Sequence, residues 1–279
     1  PGCSLIMIFN IETDDNLEEL GALMYLRSAL ETRIFTTNGV QLIKYDDQRV
    51  FAYSKYPADA LRAALQTQLI CKECAVRHPS VSFGVSIGIE HGSLLLLPGD
   101  YFGDPVNIAS KLGEDTAKPG EIFMTTKALS MVEEQEDNQP TLGSLDIETT
   151  NVKISGVSID YAKIKIKEGF KLDTMLPGFS FPSTVEIKEA GRKGGASRVM
   201  CMELLTSDKN AQKKATDSLK KMAAPYVMLQ SDMSGFTRLT KQYGILHFLT
   251  LVMHCRKIFR KHNELHNGTL VKYDADNII

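Results

Sequence analysis

No stretch of this sequence stays apolar for the ~20 residues that a membrane-spanning helix needs. The run SLLLLP at 93–98 is too short and reads as a strand. The five cysteines, at 3, 71, 74, 201 and 255, are odd in number and scattered, which argues against a disulfide framework and suits a reducing, cytoplasmic setting. Cys71 and Cys74 form a CxxC inside a helical pattern, but no second CxxC or nearby histidine pair completes a zinc site. Charge of one sign is also lacking: the net charge of −2 gives no general pull toward nucleic acid or an anionic membrane surface. His91, His247, His254, His262 and His266 have no Ser or Cys in a relay arrangement, so no nucleophilic triad is visible.

What is present is ordinary globular composition over 279 residues, with 43% hydrophobic and 24% charged, a size for one or two domains. The run LIMIFNI (5–11) predicts a buried strand, and the helical spacing of NLEELGALMYLRSALETRIF an amphipathic helix. Asn38-Gly39 marks a turn, and VQLIKY with RVFAYS predicts a strand pair. A second long helix runs from after Pro57 to about His78. VSFGVSIGIEHGSLLLL reads as two strands with Glu90-His91-Gly92 as the hairpin turn between them. YFGDPVNIASKLGEDTA is a loop feeding a helix, GEIFMTT a strand, and VKISGVSIDYAKIKIK the last strands. The order predicts an α+β domain, a ferredoxin-like βαββαβ unit with an antiparallel sheet, over 1–167. Residues 168–225 have the Pro, Gly, Ser and Lys content of a solvated linker.

After Pro225 the opening pattern returns. YVMLQSD (226–232) matches LIMIFNI, a long helix follows, and NGTLVKYDADN (267–277) repeats NGVQLIKYDDQR (38–49). The expectation is that 226–279 is the start of a second such domain, cut short, in a piece of a longer protein. The copies differ at their acids. Asp232 ends the first strand of the late copy and Asp276 follows its hairpin turn, whereas the early copy has Ile11 and Gln48 there. Adjacent strands lie about 5 Å apart, so two carboxylates at adjoining strand ends can share a metal. Taken singly, Asp232 also suits a helix N-cap and Asp276 a turn. The MSGFT stretch adds a glycine before a helix start, where free backbone N–H groups can hold phosphate oxygens. The early copy instead offers Lys44 near its hairpin tip and Asp100, Asn107, Ser110 and Lys111 on a loop and the helix after it; Asn107 and Lys111 share a helical face.

DMSGFT with VKYDADN, and DYFGDPVNIASKLGED with GVQLIKY, resemble the class III nucleotidyl cyclase catalytic domains. The resemblance covers nearly all of 1–165 and all of 226–279. It implies pairing with a second cyclase domain, in the same or another chain, and a composite site at the interface. It also implies that Asp232, Asp276 and the carbonyl of Met233 bind two Mg²⁺ or Mn²⁺ ions, and that Gly235, Phe236 and Thr237 face the phosphates. Lys44 and Asp100 would read adenine, Asn107 would orient the ribose, and Lys111 would stabilise transition-state charge. The substrate implied is ATP, converted to 3′,5′-cyclic AMP and pyrophosphate. The family usually has Arg at the position of Lys111; Lys keeps the charge but loses the planar fork. Two further readings stay open: a cyclase-like scaffold or regulatory module without turnover, and a guanylate cyclase, which Lys44 with Asp100 disfavours. The expected location is cytoplasmic, with attachment to a larger membrane or cytoskeletal assembly through flanking chain left open.

Overall fold

The structure, a computed structural model, describes residues 1–14, 16–46, 48–97, 100–134, 142–154, 157–169, 175, 177–178, 180, 208–222, 225, 227–231, 242–271, 273–274 and 277–278. Strand β1 (Gly2–Glu12) leads into α1 (Asn16–Ala29), which continues through a π-helical stretch, Leu30–Phe35. A hairpin of β2 (Gln41–Asp46) and β3 (Arg49–Ser54) follows, then α2 (Pro57–Arg77), which starts with proline in its first turn, where no N–H is needed, and β4 (Ser82–Gly92). This is the expected βαββαβ unit. Its four strands lie in the order β2-β3-β1-β4, every neighbour antiparallel. A small ribbon of β5 (Leu95–Leu97) and β6 (Asp100–Phe102) precedes α3 (Asp104–Ser110) and a π-helical turn, Lys111–Thr116. Then β7 (Ile122–Thr125), α4 (Thr126–Glu133), β8 (Leu145–Ile154) and β9 (Val157–Ile166) extend the sheet to β2-β3-β1-β4-β7-β9-β8, with β4–β7 as its one parallel pair.

Alternation along β1 sorts the two faces. Cys3, Leu5, Met7, Phe9 and Ile11 join the main core with α1, α2 and α4. Ile6 packs on the other face with Phe51, Tyr101 and Ala109, under α3 and the β5–β6 ribbon. The chain leaving β9 comes back to the first of these faces. Met175 packs against the main core, and its carbonyl accepts from Gln66 Nε2 at 3.1 Å. Gln66 Oε1 in turn accepts from Asn38 Nδ2 at 2.6 Å, so a buried relay ties the Asn-Gly turn to the departing chain.

Three expectations are corrected. Glu90-His91-Gly92 is not a hairpin turn: β4 runs straight through to Gly92. Gly92 serves close packing instead, since a Cβ there would lie 2.8 Å from Pro105 Cγ on α3. Within the stretch read as linker, α5 (Lys209–Met222) is a helix, begun where Asp208 Oδ1 accepts from Asn210 N–H at 2.8 Å. In the late copy α6 (Ile245–Leu265) and the pair β10 (Tyr273–Asp274) and β11 (Asn277–Ile278) form, but 227–230 carry no strand and Val227, Met228 and Leu229 are exposed. Only Ser231 bridges to Ile278, by two 2.9 Å hydrogen bonds. In the early copy β1 is held on both edges, by β3 and β4. Residues 227–231 have no second neighbour among the described residues, and a strand with neither face buried has weakly specified register.

Glu90 is a buried carboxyl on β4. Burial pushes its pKa above the ordinary 4.5, against hydrogen bonds from Thr125 and the His91 N–H and the charge of Lys127. A carboxyl raised on folding favours the protonated native state. The native state is therefore unpenalised below about pH 4.5 and loses stability as pH climbs through the raised value. Glu90→Gln is expected to match wild type in thermal unfolding at pH 4 and to exceed it at pH 8, flattening the pH profile of Tm.

Candidate nucleotide site

The hairpin tip is where the copies diverge, and the structure gives both tips the same frame. Tyr45 pairs with Val50 and Asp46 with Arg49; Tyr273 pairs with Ile278 and Asp274 with Asn277. The same register therefore brackets Gln48 in one copy and Asp276 in the other. The early copy has one residue more between Asn-Gly and Lys-Tyr. A register shift between Leu42 and Lys44 absorbs it, leaving Ile43 as the extra residue of a bulge. The strand equivalence is less direct: Ser231 pairs with Ile278 where the early copy pairs Met7 with Val50, three residues from the position that matching Ile11 to Asp232 would give.

In the early copy the two aligned positions carry no carboxylate. Ile11 is a buried hydrocarbon in the main core, and Gln48 gives its amide N–H to Glu19 Oε1 at 2.7 Å. Ile11 has no donor atom, and Gln48 offers only a neutral amide oxygen where the late copy has a charged carboxylate. Among the described residues no group of three or more His, Cys, Asp or Glu gathers as a metal site. Asp232, Met233, Gly235, Phe236, Thr237 and Asp276 lie outside the described residues. Two carboxylates and a carbonyl are the donor types that Mg²⁺ or Mn²⁺ accepts, and Ser231 and Ile278, which flank the two acids in sequence, are hydrogen-bonded to each other.

Lys44 and Asp100, 56 positions apart in sequence, are brought together. Lys44 Nζ sits 3.0 Å from Asp100 Oδ1, with both side chains largely shielded (16% and 18% exposed). Lys44 leaves β2 just after the bulge, and its ammonium lies 4.9 Å from the centroid of the Phe51 ring. Asp100 begins β6, and its Oδ1 also accepts the Tyr101 N–H at 2.9 Å. Tyr101 is buried; its hydroxyl is 2.8 Å from Ser4 Oγ and donates to the Ala52 carbonyl at 3.4 Å. Burial, with Asp100 nearby, pushes this phenol well above its ordinary pKa, so it stays a neutral donor.

Asn107 and Lys111 are half-buried on α3 and at the start of the π-helical turn. Val106 and Ala109 seat this helix on the Ile6–Phe51–Tyr101 cluster, so all four polar residues belong to one face of the sheet. The helix comes in very close because β4 offers glycine: a Cβ on Gly88 would sit 1.9 Å from the Ala109 carbonyl oxygen and 2.6 Å from the Gly113 nitrogen. Gly103, at the start of α3, has φ +140, a conformation side chains avoid, and a Cβ there would meet the Ser93 carbonyl at 2.6 Å. Beyond Lys111 the π-helical turn places Glu114 3.4 Å from Arg49, which also pairs with Asp46. That ion pair ties the hairpin tip to the segment carrying Lys111. Burial lifts the Glu114 pKa and Arg49 opposes the lift.

Sequence reasoning missed Phe51, Tyr101, Arg49, Glu114 and Gly88. Only Gly88 left a signal: Gly84 and Gly88, with Ser86 between, fall on one side of an alternating strand. The CxxC cysteines are free and buried on α2. No helix among the described residues is long and apolar enough to cross a membrane.

In class this is an α+β domain built on a βαββαβ sheet, and the solved structures that resemble it are class III adenylate and guanylate cyclase catalytic domains. One is the adenylate/guanylate cyclase/hydrolase of Silicibacter pomeroyi, 23% identical, covering 58% of this chain and 96% of that one, TM-score 0.43. Another is the adenylyl cyclase CyaB of P. aeruginosa, 15% identical, covering 60% and 96%, TM-score 0.44. Among curated proteins, an uncharacterised protein of Mycobacterium tuberculosis is 32% identical over 107 residues, which span 37% of this chain and 26% of that protein. No protein-family model matches the chain.

Proposed function

We propose that the chain is part of an adenylate cyclase, in which residues 1–167 form a base-binding half and 226–279 begin a metal-binding half. The single observation that carries this reading is the Lys44–Asp100 pair. It puts one donor and one acceptor side by side, 3.0 Å apart, in a largely shielded position. Adenine presents the complementary edge, a ring nitrogen that accepts and an exocyclic amino group that donates. Guanine presents the reverse order along that edge, an accepting carbonyl in place of the amino group and a donating ring nitrogen, so the adenine assignment takes Lys44 to meet the ring nitrogen and Asp100 the exocyclic group.

In the reaction the ribose 3′-hydroxyl gives up its proton to solvent, its oxygen attacks the α-phosphorus, a new P–O bond closes the ring, and the bond to the β-phosphate oxygen breaks to release pyrophosphate. Lys44 and Asp100 hold the base, Asn107 fixes the ribose orientation, and Lys111 meets the negative charge that builds on the α-phosphoryl oxygens. Gly235, Phe236 and Thr237 of the SGFT segment would bind the phosphates. Asp232, Asp276 and the Met233 carbonyl would hold the divalent cations. When bound, these supply Lewis acidity to the attacking hydroxyl and neutralise phosphate charge. The early copy's Ile11 and Gln48 hold no such ions, so labour is divided between unlike halves, and ATP and a paired cyclase domain are the partners this requires.

The test is cyclic-nucleotide production by the full chain in Mg²⁺ or Mn²⁺ with ATP or GTP. Wild type should form cyclic AMP, and Asp276→Asn should lose at least about 100-fold in turnover. Folded wild-type protein that turns over neither nucleotide supports the scaffold reading instead; production of cyclic GMP alone overturns the adenine assignment.

A further inference from the structure

An ion pair reads a base only if its two members are held in place when no base is present. Lys and Asp are flexible, and the Lys ammonium in particular swings on a four-carbon stem. In this protein the two members are held by different aromatic rings that brace each other. Asp100 receives the Tyr101 N–H at 2.9 Å, and Lys44 lies over the Phe51 ring at 4.9 Å. The Phe51 and Tyr101 rings meet edge to face, with centroids 6.4 Å apart and an 82° interplanar angle. The Tyr101 hydroxyl, 2.8 Å from Ser4 Oγ, anchors the assembly to β1, the central strand of the unit. Tyr101 is 2% and Phe51 7% exposed, so neither ring can turn away without opening the core.

We propose that Tyr101 and Phe51, seated on Ser4, are positioning residues that set the adenine preference of the Lys44–Asp100 pair. The inference rests on the proposed base-binding role of that pair. Tyr101 fixes the carboxylate through its backbone because its own side chain pins β6 to the sheet. Phe51 supplies a π face that keeps the ammonium from extending into solvent. The Ser4–Tyr101 hydrogen bond then transmits the rigidity of β1 to the ribbon that carries Asp100.

The test uses Tyr101→Phe, which keeps ring and volume but removes the Ser4 bond, and Phe51→Leu, which keeps an apolar side chain but removes the π face. Affinities for fluorescent ATP and GTP analogues are measured by titration of the full chain, with melting temperature as the check on folding. KM and kcat are measured in parallel. Each variant should lose about 3- to 10-fold in ATP affinity, the worth of one hydrogen bond or one cation–π contact. GTP affinity and kcat should change less than twofold, and Ser4→Ala should reproduce Tyr101→Phe. Equal losses for both nucleotides, or unchanged ATP affinity in a folded variant, overturn the inference. Because the titration needs no turnover, a chain that binds ATP selectively but forms no cyclic nucleotide refutes the proposed activity while leaving this inference standing. A wild type without preference between the two analogues overturns both.

Discussion

Gly88→Val should cost the protein a large share of its stability. The Cβ alone would lie 1.9 Å from the Ala109 carbonyl oxygen and 2.9 Å from its carbon, and neither is a side chain that can turn aside. Gly113 crowds Gly88 on that same side, where a Cβ on Gly113 would reach the Gly88 nitrogen at 2.9 Å. To accommodate valine, α3 must lift off β4 and break the cluster around Ile6, Phe51 and Tyr101. Overpacking a core typically costs about 1–3 kcal/mol, and a clash with backbone belongs at or above the upper end. Against a total stability of about 5–15 kcal/mol, that lowers the melting temperature by on the order of 10 °C, read by circular dichroism. Gly143→Ala is the control: nothing lies within 4 Å of a Cβ there, and its melting temperature should stay within about 1 °C of wild type. A Gly88→Val protein that melts with wild type would mean that α3 does not seat on β4 as described. Since α3 carries Asn107 and leads into Lys111, a partly folded variant should also lose activity.

The second large effect is expected at Lys111. If it meets developing charge on the α-phosphoryl oxygens, Lys111→Met, which keeps the length of the side chain, should lower kcat by about 100- to 1,000-fold with little change in KM. Lys111→Arg should hold or raise turnover, because the guanidinium keeps the charge and restores the planar fork. The pair of variants separates charge from packing. A Lys111→Met enzyme within twofold of wild type would remove Lys111 from the catalytic set.

Periodicity and turn chemistry made much of the βαββαβ unit legible: the strand pair β2–β3, the proline-led α2 and the apolar β1 were all readable from local pattern. What failed locally was Gly92, because a glycine required by contact with Pro105 reads the same as a glycine required by a turn. The segment 227–230 failed for a different reason. An apolar run specifies a strand only when it has neighbours, and here the described chain supplies a single bridge. In the site, Lys44 and Asp100 could be paired beforehand only through a family resemblance, since nothing local links residues on two different ribbons. Phe51 and Tyr101 were invisible because a core aromatic and a positioning aromatic look alike until their neighbours are known.

Met175 puts a knot in the string. The chain that leaves β9 is tied by Gln66 to the helix-covered side of the sheet, the side away from Lys44 and Asp100. At Met175 the chain is therefore held behind the plate rather than beside Lys44 and Asp100. Cutting the knot, by replacing Gln66, would free the string without touching Lys44 or Asp100.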